Sequence, residues 1–402
     1  MKEKLLWSSY LAVIVCLFFY SFTQVNLGFA FSKSQILQQI LFSFQNIGYF
    51  QRHLSTILYL FIIVLLFVFY ILFIYLSYKR KISRKYVWGL IALTAIILNF
   101  SYSAFSKDVF NYIFDAKILA FYKQNPYFHS ALDYPQDSML TFLEWIQRSY
   151  PYGPIWLGLT APLILLGKGI LIPTFFLFKL LNTLFYIGTA FFVEKIAKKI
   201  SPTIAMRSLV FFAFNPLILI ESLVSSHNDI AMIFFAIAGL YWLLAKNFKM
   251  AIVFIVSSFL IKTPTVALVG PLVLYLFDRI RKKLGYDNFL KLCMLFLSFA
   301  LFYFLYHFLD VNYDMVEMQP WYFVWFIPFI SLIRYDKFIT LTGLILSFIL
   351  LLKYPLYLVS GEWGGPTAYL FRSFISVFVP ITLIITTLLS YDYKRLKNEI
   401  FN

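Results

Sequence analysis

Asp108 opens the one long polar stretch of the chain, SKDVFNYIFDAKILAFYKQNPYFHSALDYPQDSMLTFLEWIQRSYPYGP, which follows an apolar run. An ionisable group at the end of such a run marks a functional site by default. A carboxylate there suits a general base, and it suits equally the N-cap of the segment behind it. Asp115 lies two helical turns further on and on a similar face, as a weaker candidate. Within the same stretch, Asn125 and Tyr127 of NPY and Tyr152 of YPYGP combine turn residues with flat hydroxyl-bearing rings. Such residues suit contact with a sugar or an isoprenoid, and also an aromatic belt at a membrane surface. Downstream, SHND brings His227, Asn228 and Asp229 together, with donors, acceptors and an imidazole in four residues. Lys262, before Thr263-Pro264 in an apolar run, and Arg372 are candidate phosphate partners, guanidinium matching phosphate geometry especially well. Trp321 and Tyr322 of QPWY offer a stacking platform. Glu362 in GEWGGP is a weak candidate.

These residues must be positioned by helices in a membrane. The 402 residues are 61% hydrophobic and 13% charged, against about 45–50% and about 25% in soluble domains. Several apolar runs approach the ~20 residues that cross a bilayer, and lipid permits helices because they satisfy their own backbones. The reading is an all-α polytopic membrane protein of about 12 transmembrane helices. They fall roughly at 5–28, 54–77, 86–106, 170–193, 208–225, 229–245, 250–262, 264–277, 289–309, 321–333, 337–354 and 371–390. Cys16 and Cys293 sit inside apolar runs and imply neither a disulfide framework nor a metal site.

The net charge of +16 is read as cytoplasmic Lys/Arg rather than as a nucleic-acid footprint. KRKISRK, EKIAKKISPTIAMR, DRIRKKLG and the tail YDYKRLKNEIFN then face the cytoplasm, with both termini. The Asp108 loop, SHND and the segment 307–328 face outward. Under that orientation 152–169 is a juxtamembrane or re-entrant segment, since a full crossing would carry EKIAKK outside. The run 250–277 divides into two short helices meeting at Lys262, because proline disfavours helix at the residue before it.

The order SKDVFNYI, NPY, YGP-IW, FNPLILIESLVSSHND, LIKTP and QPWYFVWFIP resembles the GT-C superfamily of membrane glycosyltransferases, in its polyprenyl-phosphate-sugar-dependent, mannosyltransferase-like branch. The resemblance covers about residues 86–333, making 1–85 two extra N-terminal helices and 334–402 C-terminal helices with a basic tail. It implies a multi-pass protein of the cell membrane with its active site on the outer face. It further implies a polyprenyl-phosphate sugar as donor, an envelope glycan or glycolipid as acceptor, and Asp108 as catalytic base. Members often carry paired acids there. Lys107-Asp108 has no adjacent acid, so a divalent metal lacks that support and no cofactor is otherwise indicated.

The expected reaction is inverting transfer of a hexose, mannose-like by resemblance alone. Asp108 takes a proton from the acceptor hydroxyl, and Lys262, Arg372 or His227 lies by the donor phosphate. The competing reading is a transporter or flippase of lipid-linked or anionic solutes, since a broken helix with an intramembrane lysine suits that class. A non-catalytic envelope-assembly subunit is a third reading.

Overall fold

The structure, a computed structural model, describes residues 2–29, 33–307, 317–334, 336–363 and 365–391. Residues 308–316 of the outer segment, Gly364 of GEWGGP and 392–402 of the basic tail lie outside the described residues. Among the described residues there are helices and no strands. They are α1 (Lys2–Ser21), α2 (Gln35–Gln45), α3 (Arg52–Tyr78), α4 (Arg84–Asn99), α5 (Asp108–Ala120), α6 (Pro154–Leu166), α7 (Leu171–Ile200), α8 (Ala205–Ala213) and α9 (Pro216–Val224). There follow α10 (Asp229–Leu244), α11 (Phe248–Phe259), α12 (Val269–Leu276), α13 (Asp278–His307), α14 (Ile327–Leu332), α15 (Lys337–Leu351), α16 (Lys353–Ser360) and α17 (Pro366–Leu389). Tight 3₁₀ turns at Thr263–Leu268 and Pro320–Trp325 lead into α12 and α14.

Helix surfaces here are apolar on both sides. The exposed stripe of α3 is Ile57, Phe61, Val64, Val68 and Ile71, while Tyr59, Ile63 and Tyr70 are buried. Helical spacing of exposed large apolar residues is the reverse of a water-facing helix and fits a surface bathed in lipid. Six helices among the described residues are long and apolar enough to cross a membrane, or seven if α8 and α9, bent by 48°, form one broken span. That is fewer than the twelve runs expected. α4 and α10 have 16 residues and α11 has 12, so at 1.5 Å per residue each falls short of the ~30 Å hydrocarbon core. Hydropathy measures how far an apolar run extends, and does not see where its helix stops. The 152–169 segment holds the 13-residue α6, also too short to span.

α4 and α7 run antiparallel. Arg84 at the start of α4 clasps Glu194 near the end of α7, with Oε1 2.5 Å from Nε, while Ser101 just past α4 meets Lys179 in the first half of α7. The Arg84 end also carries Lys198 on Glu194 at 2.7 Å. The far end leads through residues 100–107 into α5, so Asp108 lies at the end of the bundle away from the Arg84–Glu194 cluster. Between α7 and α11 packs α10, and α5 packs on α6.

Candidate active site

Asp108 is the first residue of α5, yet its side chain makes no capping hydrogen bond. The backbone N–H of Asp108 donates to Ser106 Oγ at 3.1 Å, and the carboxylate turns towards His227, with Oδ2 3.5 Å from Nδ1. His227 Nε2 is 3.4 Å from Glu221 Oε2, and Tyr354 donates to Glu221 Oε1 at 2.7 Å. Both His227 separations exceed the usual 2.7–3.2 Å of a good hydrogen bond. The imidazole is held instead by charge on either side and by the Trp321 ring stacked on it at 3.9 Å and 22°. His227 and Glu221 are buried, and the Asp108 side chain is 16% exposed.

The sequence FNPLILIESLVSSHND folds so as to aim His227. Asn215 Oδ1 accepts from Leu217 N–H at 2.9 Å, with Pro216 at the first helical position where its missing N–H costs nothing. The helix then widens over Leu219–Val224 into a π-turn, a form that concentrates at functional sites. Side chains from other segments hold its final carbonyls. Lys179 Nζ donates to the carbonyls of Leu223 and Val224 and to Ser101 Oγ, Ser103 Oγ donates to the Ser225 carbonyl at 3.0 Å, and Asn182 Nδ2 donates to that of Ser226 at 2.6 Å. Ser226 takes a φ of 58°, a conformation uncommon for any residue with a Cβ, and the chain reverses into Asp229 at the start of α10.

Asp229 is fully buried. Both of its oxygens accept from Lys262, at 3.0 and 2.9 Å, and Trp325 Nε1 donates to Oδ1 at 2.6 Å. Lys262 sits in the break after α11, its ammonium 5.8 Å from the Tyr152 ring and 5.5 Å from the Tyr322 ring. That break is tied to the YPYGP loop through backbone: Gly153 N–H donates to the Ile261 carbonyl at 3.0 Å and Ile155 N–H to that of Leu260 at 3.1 Å. Glycine is required there, because a Cβ on residue 153 would lie 2.0 Å from the Leu260 carbonyl oxygen.

A cavity of about 500 Å³ reaches Asp108 and Trp321. It is also lined by Tyr102–Lys107, Glu144, Trp145, Glu317, Gln319, Lys353, Tyr357, Trp363 and Arg372. Burial pushes the Asp108 carboxyl up, but the neighbouring His227, Arg148 and Lys262 outweigh it and hold the group below the ordinary carboxylate range. Asp115 ends differently: burial, opposed by Arg148 and reinforced by Asp108, pushes it up to about 7. Among the described residues, no three His, Cys, Asp or Glu side chains gather in an arrangement able to hold a metal ion.

Of the residues singled out in the sequence, Asp108, Tyr152, His227, Asp229, Lys262, Trp321 and Tyr322 are brought together. Asn228 is buried beside them, with both amide atoms lacking a hydrogen-bond partner. Arg372 lines the cavity, its guanidinium 2.7 Å from Glu317. Asn125 and Tyr127 are not brought to the cavity. Asn125 Oδ1 accepts from Tyr127 N–H at 3.0 Å, an Asx turn, and the Tyr127 hydroxyl donates to the Tyr152 carbonyl at 3.0 Å. Sequence reasoning passed over Glu221, although an acid inside an apolar run is a signal in itself. It also passed over Arg148, whose Nη2 is buried without a hydrogen-bond partner, and whose guanidinium lies 5.7 Å from the Tyr152 ring.

Compared with known families, residues 12–278 match the family described as Alpha-(1->6)-mannopyranosyltransferase, N-terminal domain. No protein of curated function and no solved structure matches the chain.

Proposed function

The chain belongs to the alpha-(1->6)-mannopyranosyltransferase family, a membrane mannosyltransferase family of GT-C type, and from that premise we propose which donor it uses and how. The donor is a polyprenyl-phosphate mannose, and the acceptor is an envelope glycan or glycolipid. Asp108 takes the proton from the attacking hydroxyl. The acceptor oxygen bonds to the anomeric carbon as the bond from that carbon to the phosphate oxygen breaks, and the phosphate leaves with the electron pair. An inverting transfer that forms the α-(1→6) linkage of the family name needs a β-linked donor.

The observation that carries this reading is the environment of Asp108. It is a carboxylate kept ionised at a cavity mouth, with His227 behind it and cations to one side. A carboxyl group must be ionised to accept a proton, and general-base help of this kind supplies about 10²–10⁴-fold. Lys262 and Arg148 both lie against the Tyr152 ring and are the cations placed to receive a leaving phosphate, stabilising charge as it develops. The loop with Asp108 lies at the end of the bundle away from Arg84, Lys198 and Lys199. Under the positive-inside rule this favours the outer face for the site, with both termini inside. The short helices α4, α10, α11 and α12 would complete about twelve crossings by pairing end to end or by lying in protein-lined depressions.

The test is transfer by the purified full-length protein in lipid nanodiscs, with polyprenyl-phosphate [¹⁴C]mannose as donor and α-1,6-mannobiose as acceptor. A labelled trisaccharide supports the reading. Label that appears only from GDP-mannose, or no product from either donor, would overturn it.

A further inference from the structure

The cavity at Asp108 holds six charged side chains: Lys107, Asp108, Glu144, Glu317, Lys353 and Arg372. Three cations stand against three acids, and each cation lies by a carboxylate, Glu317 serving two of them. Lys107 lies 3.0 Å from Glu144, and Arg372 lies 2.7 Å and Lys353 3.9 Å from Glu317. Lys353 also donates to Gln319 Oε1. Asp108 is the acid left over, and its partner His227 stands behind it rather than in the lining. A phosphate entering this space would meet a lining of no net charge and would have to compete with a carboxylate at each cation. A neutral ligand rich in hydroxyls faces no such cost, since hydroxyls donate to carboxylate oxygens and accept from ammonium and guanidinium without separating charge.

The rest of the lining has the same bias. Tyr357 and Trp363 stack with ring centroids 4.4 Å apart and planes at 14°, and the Lys353 ammonium lies 5.4 Å from the Trp363 centroid, which joins this aromatic pair to the Glu317 cluster. The volume of about 500 Å³ lies within the ~300–1,000 Å³ of small-ligand pockets. By contrast, Lys262 and Arg148 are not part of the lining; Lys262 is held by Asp229, and Arg148 Nη2 is buried without a hydrogen-bond partner.

We propose that this cavity is a binding site for a neutral saccharide, the acceptor, with Trp363 and Tyr357 as its stacking ledge and Glu317, Lys353 and Arg372 as its hydroxyl-binding cluster. The proposal rests on the transferase reading and deepens it. It places acceptor and donor phosphate in chemically distinct compartments that meet at Asp108. Arg372 then serves sugar hydroxyls and not the phosphate.

Binding needs no donor, so it can be measured apart from turnover. The full-length protein in nanodiscs is titrated with methyl α-D-mannopyranoside by isothermal calorimetry, with and without inorganic phosphate, and α-1,6-mannobiose is the acceptor in the transfer assay. Saturable saccharide binding that phosphate does not displace is expected. Trp363→Ala should weaken it about tenfold, the scale of a lost aromatic contact, whereas Trp363→Phe, which keeps a ring, should retain it. In the transfer assay Trp363→Ala should raise the acceptor KM and leave the donor KM unchanged. Competition by phosphate, absence of saccharide binding to the wild type, or equal binding by wild type and Trp363→Ala would each overturn the proposal. Saccharide binding of the expected kind without transfer from polyprenyl-phosphate mannose would leave the site standing and remove the donor reading instead.

Discussion

His227 Nδ1 lies 3.5 Å from Asp108 Oδ2, across a sequence separation that no local pattern links. The contact exists because the π-turn at Leu219–Val224 and the reversal at Ser226 carry the imidazole to the start of α5. It has consequences for both charge and rate.

Asp108→Asn keeps the volume and removes the proton acceptor. Transfer should fall about 10²–10⁴-fold, the usual weight of a general base. The Tm at neutral pH should fall somewhat, since a carboxyl held below its ordinary range contributes stability there, and circular dichroism checks that the variant stays folded. A folded variant with near-wild-type turnover would show that the base is elsewhere.

His227→Ala removes the strongest of the neighbours that hold the Asp108 carboxyl low, while burial, which raises it, stays. The Asp108 pKa must then rise. Because the base works only when ionised, the acid limb of the kcat/KM profile should move to higher pH in the variant. An acid limb that stays in place while the overall rate falls would mean that His227 acts without tuning Asp108.

Asp115 has the opposite signature. Its folded pKa of about 7 stands above the 3.8 of the unfolded chain, so the folded state holds the proton more tightly between those values. Stability therefore falls as pH rises through that window, and is level above it. Asp115→Asn removes the loss, and should raise Tm more at pH 8 than at pH 4. Equal shifts at both values would contradict the assignment.

These charges were only partly legible in the sequence. Asp108, SHND, LIKTP and QPWY each interrupt an apolar run with turn-forming or ionisable residues, so each was visible alone, and all four converge. Glu221 was not singled out because its role depends on the π-turn, which places it behind His227 and which no spacing rule predicts. Asn125 and Tyr127 carried the right chemistry for a sugar site, but the Asx turn spends it on the loop's own backbone. Six or seven of the twelve expected crossings stand as long helices or a bent pair among the described residues. α4, α10 and α11 end at breaks that mean hydropathy averages away.

Gly153→Ala tests how the loop wall is held. A Cβ would press to 2.0 Å from the Leu260 carbonyl oxygen and part the two backbone hydrogen bonds to residues 260 and 261. Overpacking of this kind costs about 1–3 kcal/mol, so Tm and transfer should both drop. Gly158→Ala, where a Cβ meets nothing within 4 Å, is the control and should leave both unchanged or slightly raise Tm. Similar behaviour of the two variants would show that the wall is not fastened at Gly153.

The same two hydrogen bonds make a mechanical linkage. Tyr152 precedes Gly153, and Lys262 follows Ile261, so the loop and the broken helix cannot shift independently while Gly153–Ile261 and Ile155–Leu260 stay closed. The backbone beside Tyr152, the ring against which Lys262 and Arg148 both lie, is thereby yoked to the end of α11.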